Sequence, residues 1–216
     1  MIMKKENTPV AETKDAAAKS ERLEKPQKPR KQPYFTAKRV ALLGIMTALG
    51  AITNIYSVKI SGSNWLSFAY IPCVLAGMFL GIPEGFIVGL LGDILGCLIR
   101  PQGAWLPLIT LASALLGGLP GIITFFARKA LPDILERRLE RNLLLWLNLI
   151  AILFVCTSGL NTIALFLAYS KGKTFWVYLW GRLPFQFLTL FANGLMITAI
   201  TNIPPIRMLL DPNRRL

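Results

Sequence analysis

The sequence predicts an all-α integral membrane protein, a bundle of six transmembrane helices with both termini in the cytoplasm. Of its 216 residues, 54% are hydrophobic and 16% are charged, whereas a soluble domain carries about 25% charged residues. The mean hydropathy is +0.52. The apolar residues form runs long enough to cross a bilayer, which takes about 20 residues per helix. Most of the basic residues lie outside these runs, so the sequence indicates one polytopic domain.

The first 36 residues predict a disordered, basic cytoplasmic tail. They mix both charges with Pro and Ala and contain no apolar stretch that could serve as the core of a signal peptide. We expect the basic end, "KPQKPRK", to lie against anionic lipid headgroups of the bilayer. At the other end of the chain, residues 204–216 predict a short cytoplasmic C-terminal tail.

Between the tails, residues 37–203 predict a single six-helix domain. The second and third helices are short, and "GIPEG" separates them, because Gly81 and Pro83 interrupt a continuous helix. The predicted segments are 38–58, 65–80, 83–99, 105–127, 143–169 and 175–200.

The distribution of Lys and Arg predicts the orientation. Nineteen of the 24 basic residues lie in residues 1–39, in the loop 128–142 and in the C-terminal tail, which six passes place on the same side. Because basic residues favour the cytoplasmic side, this side is predicted to be inside and the cell membrane to be the location. The loop "ARKALPDILERRLER" predicts an amphipathic helix at the membrane surface.

Several classes of function are disfavoured by the composition. The chain has no His and three separated Cys, so we expect no metal, no cofactor and no catalytic triad. The string "SKGKTF" lacks the first Gly of a phosphate loop, and the basic tail lacks the interleaved aromatic residues of a nucleic-acid surface. A membrane enzyme or scaffold without a transport role remains an alternative.

Two charged residues, Asp93 and Arg182, lie well inside the predicted helices, where each costs about 2.5–3.5 kcal/mol on insertion scales. Both lie roughly 10 Å from the outer ends of their helices, and Asn161 lies roughly 12 Å from the outer end of its own. Three helices thus bring polar groups to one depth. The sequence predicts an outward-opening polar cavity that binds a small molecule, with a structural Asp93–Arg182 salt bridge as the alternative.

Further candidate residues surround this predicted cavity. Gln186 is four residues after Arg182 and therefore on the same helix face. Small-molecule pockets combine aromatic surface with a few polar groups, and four residues of the outer loops fit this description: Asn64, Trp65, Gln102 and Trp105. One acid and no visible repeat disfavour an ion-driven carrier. We therefore expect a binding subunit whose partners supply the energy.

Two blocks of the sequence resemble the substrate-binding S components of energy-coupling factor vitamin transporters, in particular the folate-type branch. They begin "SFAYIPCVLAG" at Ser67 and "LNTIALF" at Leu160. The matching residues are Phe68, Ile71, Pro72, Ala76, Gly77, Pro83, Gly85, Gly89, Asp93, Gly96, Pro101, Gly103, Pro107, Asn161, Thr162, Tyr169, Lys173, Arg182 and Gln186.

The resemblance implies a six-helix subunit that captures a vitamin from outside with high affinity. It also implies two kinds of partner, a transmembrane coupling subunit and two cytoplasmic ATPases. Gly44 and Ala48 occupy the places where this family contacts the coupling subunit. The resemblance favours folate, while another vitamin or a modified-base precursor remains open.

Overall fold

The computed structural model describes residues 37–61, 64–101, 105–131, 134–169, 172 and 174–206. The predicted tail 1–36 and residues 207–216 lie outside the described part. Within it the chain forms one helical unit with a short β-hairpin. In order, the elements are α1 (Ala37–Ile55), β1 (Val58–Ser61), β2 (Asn64–Leu66), α2 (Tyr70–Leu80), α3 (Ile82–Ile99), α4 (Pro107–Ala130), α5 (Arg138–Tyr169) and α6 (Phe175–Asn202).

Five of the helices in the described part are long and apolar enough to cross a membrane: α1, α3, α4, α5 and α6. Their bounds lie within a few residues of the predicted segments. The chain is therefore a multi-pass, all-α membrane protein. The remaining predicted segment is represented by α2, whose 11 residues extend over about 16 Å at a rise of 1.5 Å per residue.

The prediction of helix from residue 65 onward is wrong at its start. Asn64–Leu66 is a strand that pairs antiparallel with Val58–Ser61, with Lys59 opposite Trp65. Hydropathy alone did not distinguish this strand from the beginning of a helix, because short apolar runs fit both.

Helix α1 runs parallel to α3, since an ion pair joins their first turns and a hydrogen bond from Arg100 to the Ile55 carbonyl joins their ends. Arg39 Nη1 lies 3.5 Å from Glu84 Oε1, and Glu84 is almost fully buried. The chain between these helices therefore returns along the bundle through the hairpin and α2. The hairpin and the start of α4 define one end of the bundle, called the cavity end below, and the Arg39–Glu84 pair marks the opposite end.

Glycine residues bring α3 and α4 into direct backbone contact. A Cβ at Gly117 would overlap the carbonyl of Gly85, and a Cβ at Gly89 would overlap the carbonyl of Ser113. The contact of α3 with α1 is also close, because a Cβ at Gly92 would lie 3.4 Å from Gly50 Cα. In a membrane, helices associate by van der Waals packing, which small residues at the interface permit.

Two helices contain π-helical segments, Ala76–Leu80 at the end of α2 and Leu153–Asn161 within α5. In the first, Arg128 Nη2 of α4 donates a 3.0 Å hydrogen bond to the carbonyl of Met78. The apolar core lies between α2, α5 and α6, and its fully buried side chains include Val74, Met78, Leu145, Leu149, Ile152 and Ile197.

The amphipathic surface helix predicted around residues 127–141 is not formed. Helix α4 continues to Ala130, residues 134–137 make turns, and α5 begins at Arg138. Arg141 is buried and donates from Nη2 to Asn202 Oδ1 of α6 at 2.7 Å. Two basic residues of this region, Arg128 and Arg141, thus connect helices. The apolar residues that suggested a surface helix include Ile134, which belongs to the core.

Candidate binding site

A cavity of about 770 Å³ occupies the cavity end of the bundle. Residues of α1, the hairpin, α2, α3, α4, α5 and α6 contribute to its wall, so the site is assembled from distant parts of the sequence. Seven of the eight predicted site residues line it: Asn64, Trp65, Asp93, Trp105, Asn161, Arg182 and Gln186. The eighth, Gln102, lies outside the described residues.

Asp93 of α3 forms the acidic side of the cavity. It is only 8% exposed, and its Oδ1 accepts hydrogen bonds from Asn54 Nδ2 of α1 and Ser113 Oγ of α4, both at 3.2 Å. Its Oδ2 is buried and has no hydrogen-bond partner among the described residues. Buried polar atoms are ordinarily hydrogen-bonded, so the unpartnered Oδ2 is unusual and makes Asp93 a candidate ligand-binding residue.

The glycines of α3 explain how Asn54 reaches Asp93. A Cβ at Gly96 would lie 2.8 Å from Asn54 Cβ and Nδ2, so only glycine leaves room for that side chain. The close approach of α1 and α3 at Gly50 and Gly92, one turn away, brings the two helices to this distance.

Arg182 of α6 forms the basic side of the cavity. It is 6% exposed, and its guanidinium carbon lies 5.7 Å from the centre of the Tyr178 ring. The Nε and Nη1 atoms of Arg182 and the Oδ1 atom of Asn161 form no hydrogen bond with the described residues. The α5–α6 wall therefore presents guanidinium donors and an amide acceptor.

Asp93 and Arg182 do not pair with each other in the described part of the chain, where the ion pairs are Arg39–Glu84 and Arg137–Glu140. The salt bridge considered from the sequence is absent from this structure. The two charges instead face the same cavity from α3 and α6, each with unpartnered polar atoms.

Gln186 lines the cavity, but its amide is bonded to α5. Its Oε1 accepts from Ser158 Oγ at 2.7 Å, and its Nε2 donates to Thr162 Oγ1 at 3.0 Å and to the Thr157 carbonyl at 3.4 Å. Tyr70 of α2 shares a hydrogen bond with the Thr157 hydroxyl. These bonds connect α2, α5 and α6 beneath the cavity.

The mouth of the cavity combines aromatic and basic side chains. Lys59 Nζ of β1 lies 5.7 Å from the centre of the Trp65 ring of β2. Trp105 is 60% exposed, and its indole nitrogen donates to Thr110 Oγ1 at 3.0 Å. Arg100 Nη1 donates to the Ile55 carbonyl at 2.7 Å, which ties the end of α3 to the end of α1.

Several polar residues of the wall were not among the predicted site residues, including Asn54, Tyr70, Ser113 and Thr157. Each is an uncharged residue in an apolar segment, where an amide or hydroxyl often bonds within its own helix. Only the approximate depth in the membrane could have pointed to such residues. Asn54, for example, lies near the end of the first predicted helix, at about the level of Asp93.

The predicted coupling residues lie on the outside of α1. Gly44 and Ala48 are both exposed, and a Cβ at Gly44 would meet no atom within 4 Å. Gly44 therefore has no packing role among the described residues, in contrast to the glycines of α3 and α4. Gly44, Ala48, Ile45 and Leu49 are all exposed and form a flat apolar face on α1.

Residues 34–202 match the family model described as "ECF-type riboflavin transporter, S component". The chain belongs to this family. The prediction of an S component is thereby confirmed, and the family is one of vitamin-binding transporter subunits. A comparison with curated proteins found no match.

This S component is also similar to a solved structure described as FolT bound with folic acid. The likeness covers 77% of this chain and 96% of that chain, with a TM-score of 0.58 and 22% sequence identity. At this identity the likeness shows a shared fold, in agreement with the helical membrane architecture described above.

Proposed function

We propose that this S component captures folate, or a heterocyclic anionic vitamin of similar size, from outside the cell. The observation that carries the proposal is a cavity lined by a carboxylate on α3 and a guanidinium on α6 that form no ion pair with each other, each with atoms that lack a hydrogen-bond partner among the described residues. Such a site suits a ligand with hydrogen-bond donors at one part and acceptors or negative charge at another.

The polar atoms of the cavity suit the chemistry of folate. A pterin ring carries adjacent amino and N–H groups, which can donate to Asp93 Oδ2 in charge-assisted hydrogen bonds. Arg182 would pair with an anionic or carbonyl oxygen, and Trp65 and Trp105 would stack on or cover the ligand. Among the described residues that line the cavity, three are cations and one is an acid, which favours a ligand with net negative charge.

Riboflavin is the second candidate, and the description of the matching family supports it. Its ring system presents one N–H between two carbonyls, so Asp93 would receive a single hydrogen bond. Because riboflavin carries no charge, it would leave Lys59, Arg100 and Arg182 without an anionic partner. For this reason folate is the preferred candidate.

A binding panel with the purified full chain tests the proposal. Folic acid and riboflavin are each added over a range of concentrations. A true ligand stabilises the fold by about 2.7 kcal/mol when its concentration reaches 100 times its dissociation constant. We expect folic acid to raise the melting temperature and to give a saturable heat signal in calorimetry. If only riboflavin stabilised the protein, riboflavin would replace folate as the proposed ligand. If neither compound did, both would be rejected as ligands.

We further propose that delivery follows docking on a transmembrane coupling subunit driven by two cytoplasmic ATPases. The exposed, small-residue face of α1 around Gly44 and Ala48 supports this assignment, because small residues let helices of two subunits approach closely. The predicted orientation, with both termini inside, places vitamin capture outside. Copurification from membranes without a coupling subunit or ATPases would favour the scaffold or enzyme alternative.

A further inference from the structure

The carboxamide of Gln186 bonds to helix α5 through both its nitrogen and its oxygen. Its Nε2 donates to Thr162 Oγ1 at 3.0 Å, and the Thr157 carbonyl lies 3.4 Å away on the same side of the nitrogen, because the two acceptors are only 2.9 Å apart. Its oxygen accepts from Ser158 Oγ. All three partners lie on α5, although Gln186 itself belongs to α6.

The segment of α5 that Gln186 contacts is π-helical, from Leu153 to Asn161. Such segments are rare and are frequent at functional sites. Here the Thr157 carbonyl accepts from Thr162 Oγ1 at 2.9 Å as well as from Gln186. Tyr70 of α2 holds the Thr157 hydroxyl from the other side. The turn is thus stabilised by side chains of two neighbouring helices.

This π-helical turn carries the ligand-facing residues of α5. Asn161 is its last residue, and its unpartnered Oδ1 belongs to the cavity wall together with Cys156 and Thr157. On α6, Arg182 is four residues before Gln186 and therefore on the same face. The hydrogen bonds of Gln186 consequently hold the Asn161 turn at a defined place relative to Arg182.

We propose that Gln186 is a positioning residue of the vitamin site, which acts on vitamin affinity through the turn of α5 that it holds. It holds the π-helical turn of α5 against α6, so that Asn161 and Arg182 face the ligand together. This inference rests on the proposed vitamin-binding function. It revises the sequence prediction, which placed Gln186 among the residues that contact the substrate.

Binding of folic acid to three variants tests the proposal. Gln186→Leu removes the amide, Ser158→Ala with Thr162→Val removes its side-chain partners on α5, and a third variant combines all three changes. We expect each of the first two to weaken binding about 5- to 10-fold, the equivalent of one or two hydrogen bonds. The combined variant should bind folic acid no more weakly than the weaker binding of the first two variants, because all the changes disrupt the same hydrogen-bond network.

A direct contact would give a different result, since the α5 changes leave Gln186 able to bind the ligand. The losses would then add, which would overturn the proposal whatever the second measurement gives. Thr201→Val is the matched control, because it removes a buried hydroxyl of α6 that bonds only within its own helix. It should bind folic acid as the wild type does. If Gln186→Leu fails to fold, Ser158→Ala alone replaces it.

The second measurement needs no ligand. Cys156 precedes Thr157 and is 1% exposed, so its labelling by a water-soluble thiol reagent reports on the π-helical turn in a Cys73→Ala, Cys97→Ala background. We expect Gln186→Leu to raise the labelling rate at least about 5-fold, by analogy with the loss of one or two hydrogen bonds. An unchanged rate would overturn the proposal. If no vitamin binds the wild type, the proposed function fails, and this rate alone decides the inference.

Discussion

The two sides of the cavity are built in different ways. Helices α1, α3 and α4 meet backbone to backbone at glycines such as Gly85 and Gly117, whereas α5 and α6 are joined by polar side chains such as Gln186 and Ser158. A glycine contact has no rotamer that can change, but each side-chain hydrogen bond depends on one. Asp93 therefore lies on a wall whose helix backbones are in direct contact, and Arg182 lies on a wall that side-chain hydrogen bonds join at the level of the cavity.

This difference matters for how membrane helices associate. Lipid supplies no hydrophobic driving force between helices, so close packing and interhelical hydrogen bonds are the available means. Where the carboxylate is held, the S component combines glycine packing with hydrogen bonds from Asn54 and Ser113. Where α5 and α6 line the cavity, it uses the hydrogen bonds of Gln186. Substitutions on the two walls should consequently differ in whether they affect stability, vitamin affinity or both.

The largest effect is expected for Gly117→Ala in the glycine-packed wall. The new methyl group would overlap the Gly85 carbonyl, and the helices would have to separate. We expect a loss at the upper end of about 1–3 kcal/mol, the usual cost of overpacking, seen as a lower melting temperature in detergent. Gly181→Ala on α6 is the control, because its Cβ meets no atom. Equal melting temperatures for the two variants would refute the role of the glycine contact.

A smaller effect, on binding, is expected when either charge of the cavity is removed. Asp93→Asn and Arg182→Met should each weaken folic acid binding by about 1.5–3 kcal/mol, or 10- to 100-fold, because each removes a charge-assisted hydrogen bond. The melting temperature of the vitamin-free protein should change less for Asp93→Asn, whose amide oxygen still accepts from Asn54 and Ser113.

The matched control for the charge variants is Arg141→Met. Arg141 is buried and bonds to Asn202 away from the cavity, so its loss should lower the melting temperature and leave vitamin affinity unchanged. If Asp93→Asn and Arg182→Met instead bind folic acid normally and only lower stability, both charges serve the fold alone.

The smallest effect is expected at the mouth, for Lys59→Gln. Lys59 is exposed beside Trp65, and an exposed charge contributes at most about 1 kcal/mol. We expect a 2- to 5-fold loss of folic acid affinity at low salt, which disappears near 1 M salt because the charge is then screened. Lys129→Gln, an exposed change at the end of α4 away from the cavity, should have no effect at either salt concentration.

The membrane class, the helix bounds and most of the candidate site were predictable from the sequence. Hydropathy is a local property, so five of the long segments appear within a few residues of their predicted positions. Charged and amide side chains in apolar segments are conspicuous, and the helical rise places them at a common depth. Asp93, Asn161 and Arg182 were found in this way, and the structure brings them to one cavity.

Only the tertiary structure decided which of these groups are already bonded. Asn54 enters the site because Gly96 and the Gly50–Gly92 contact bring α1 against α3, and Gln186 is occupied because α5 adopts a π-helical turn beside it. The hairpin at residues 58–66 likewise forms where hydropathy indicated helix. Burial depends on each residue's own chemistry, which the sequence displays, but a hydrogen-bond partner is chosen by the approach of distant backbones, which only the folded chain determines.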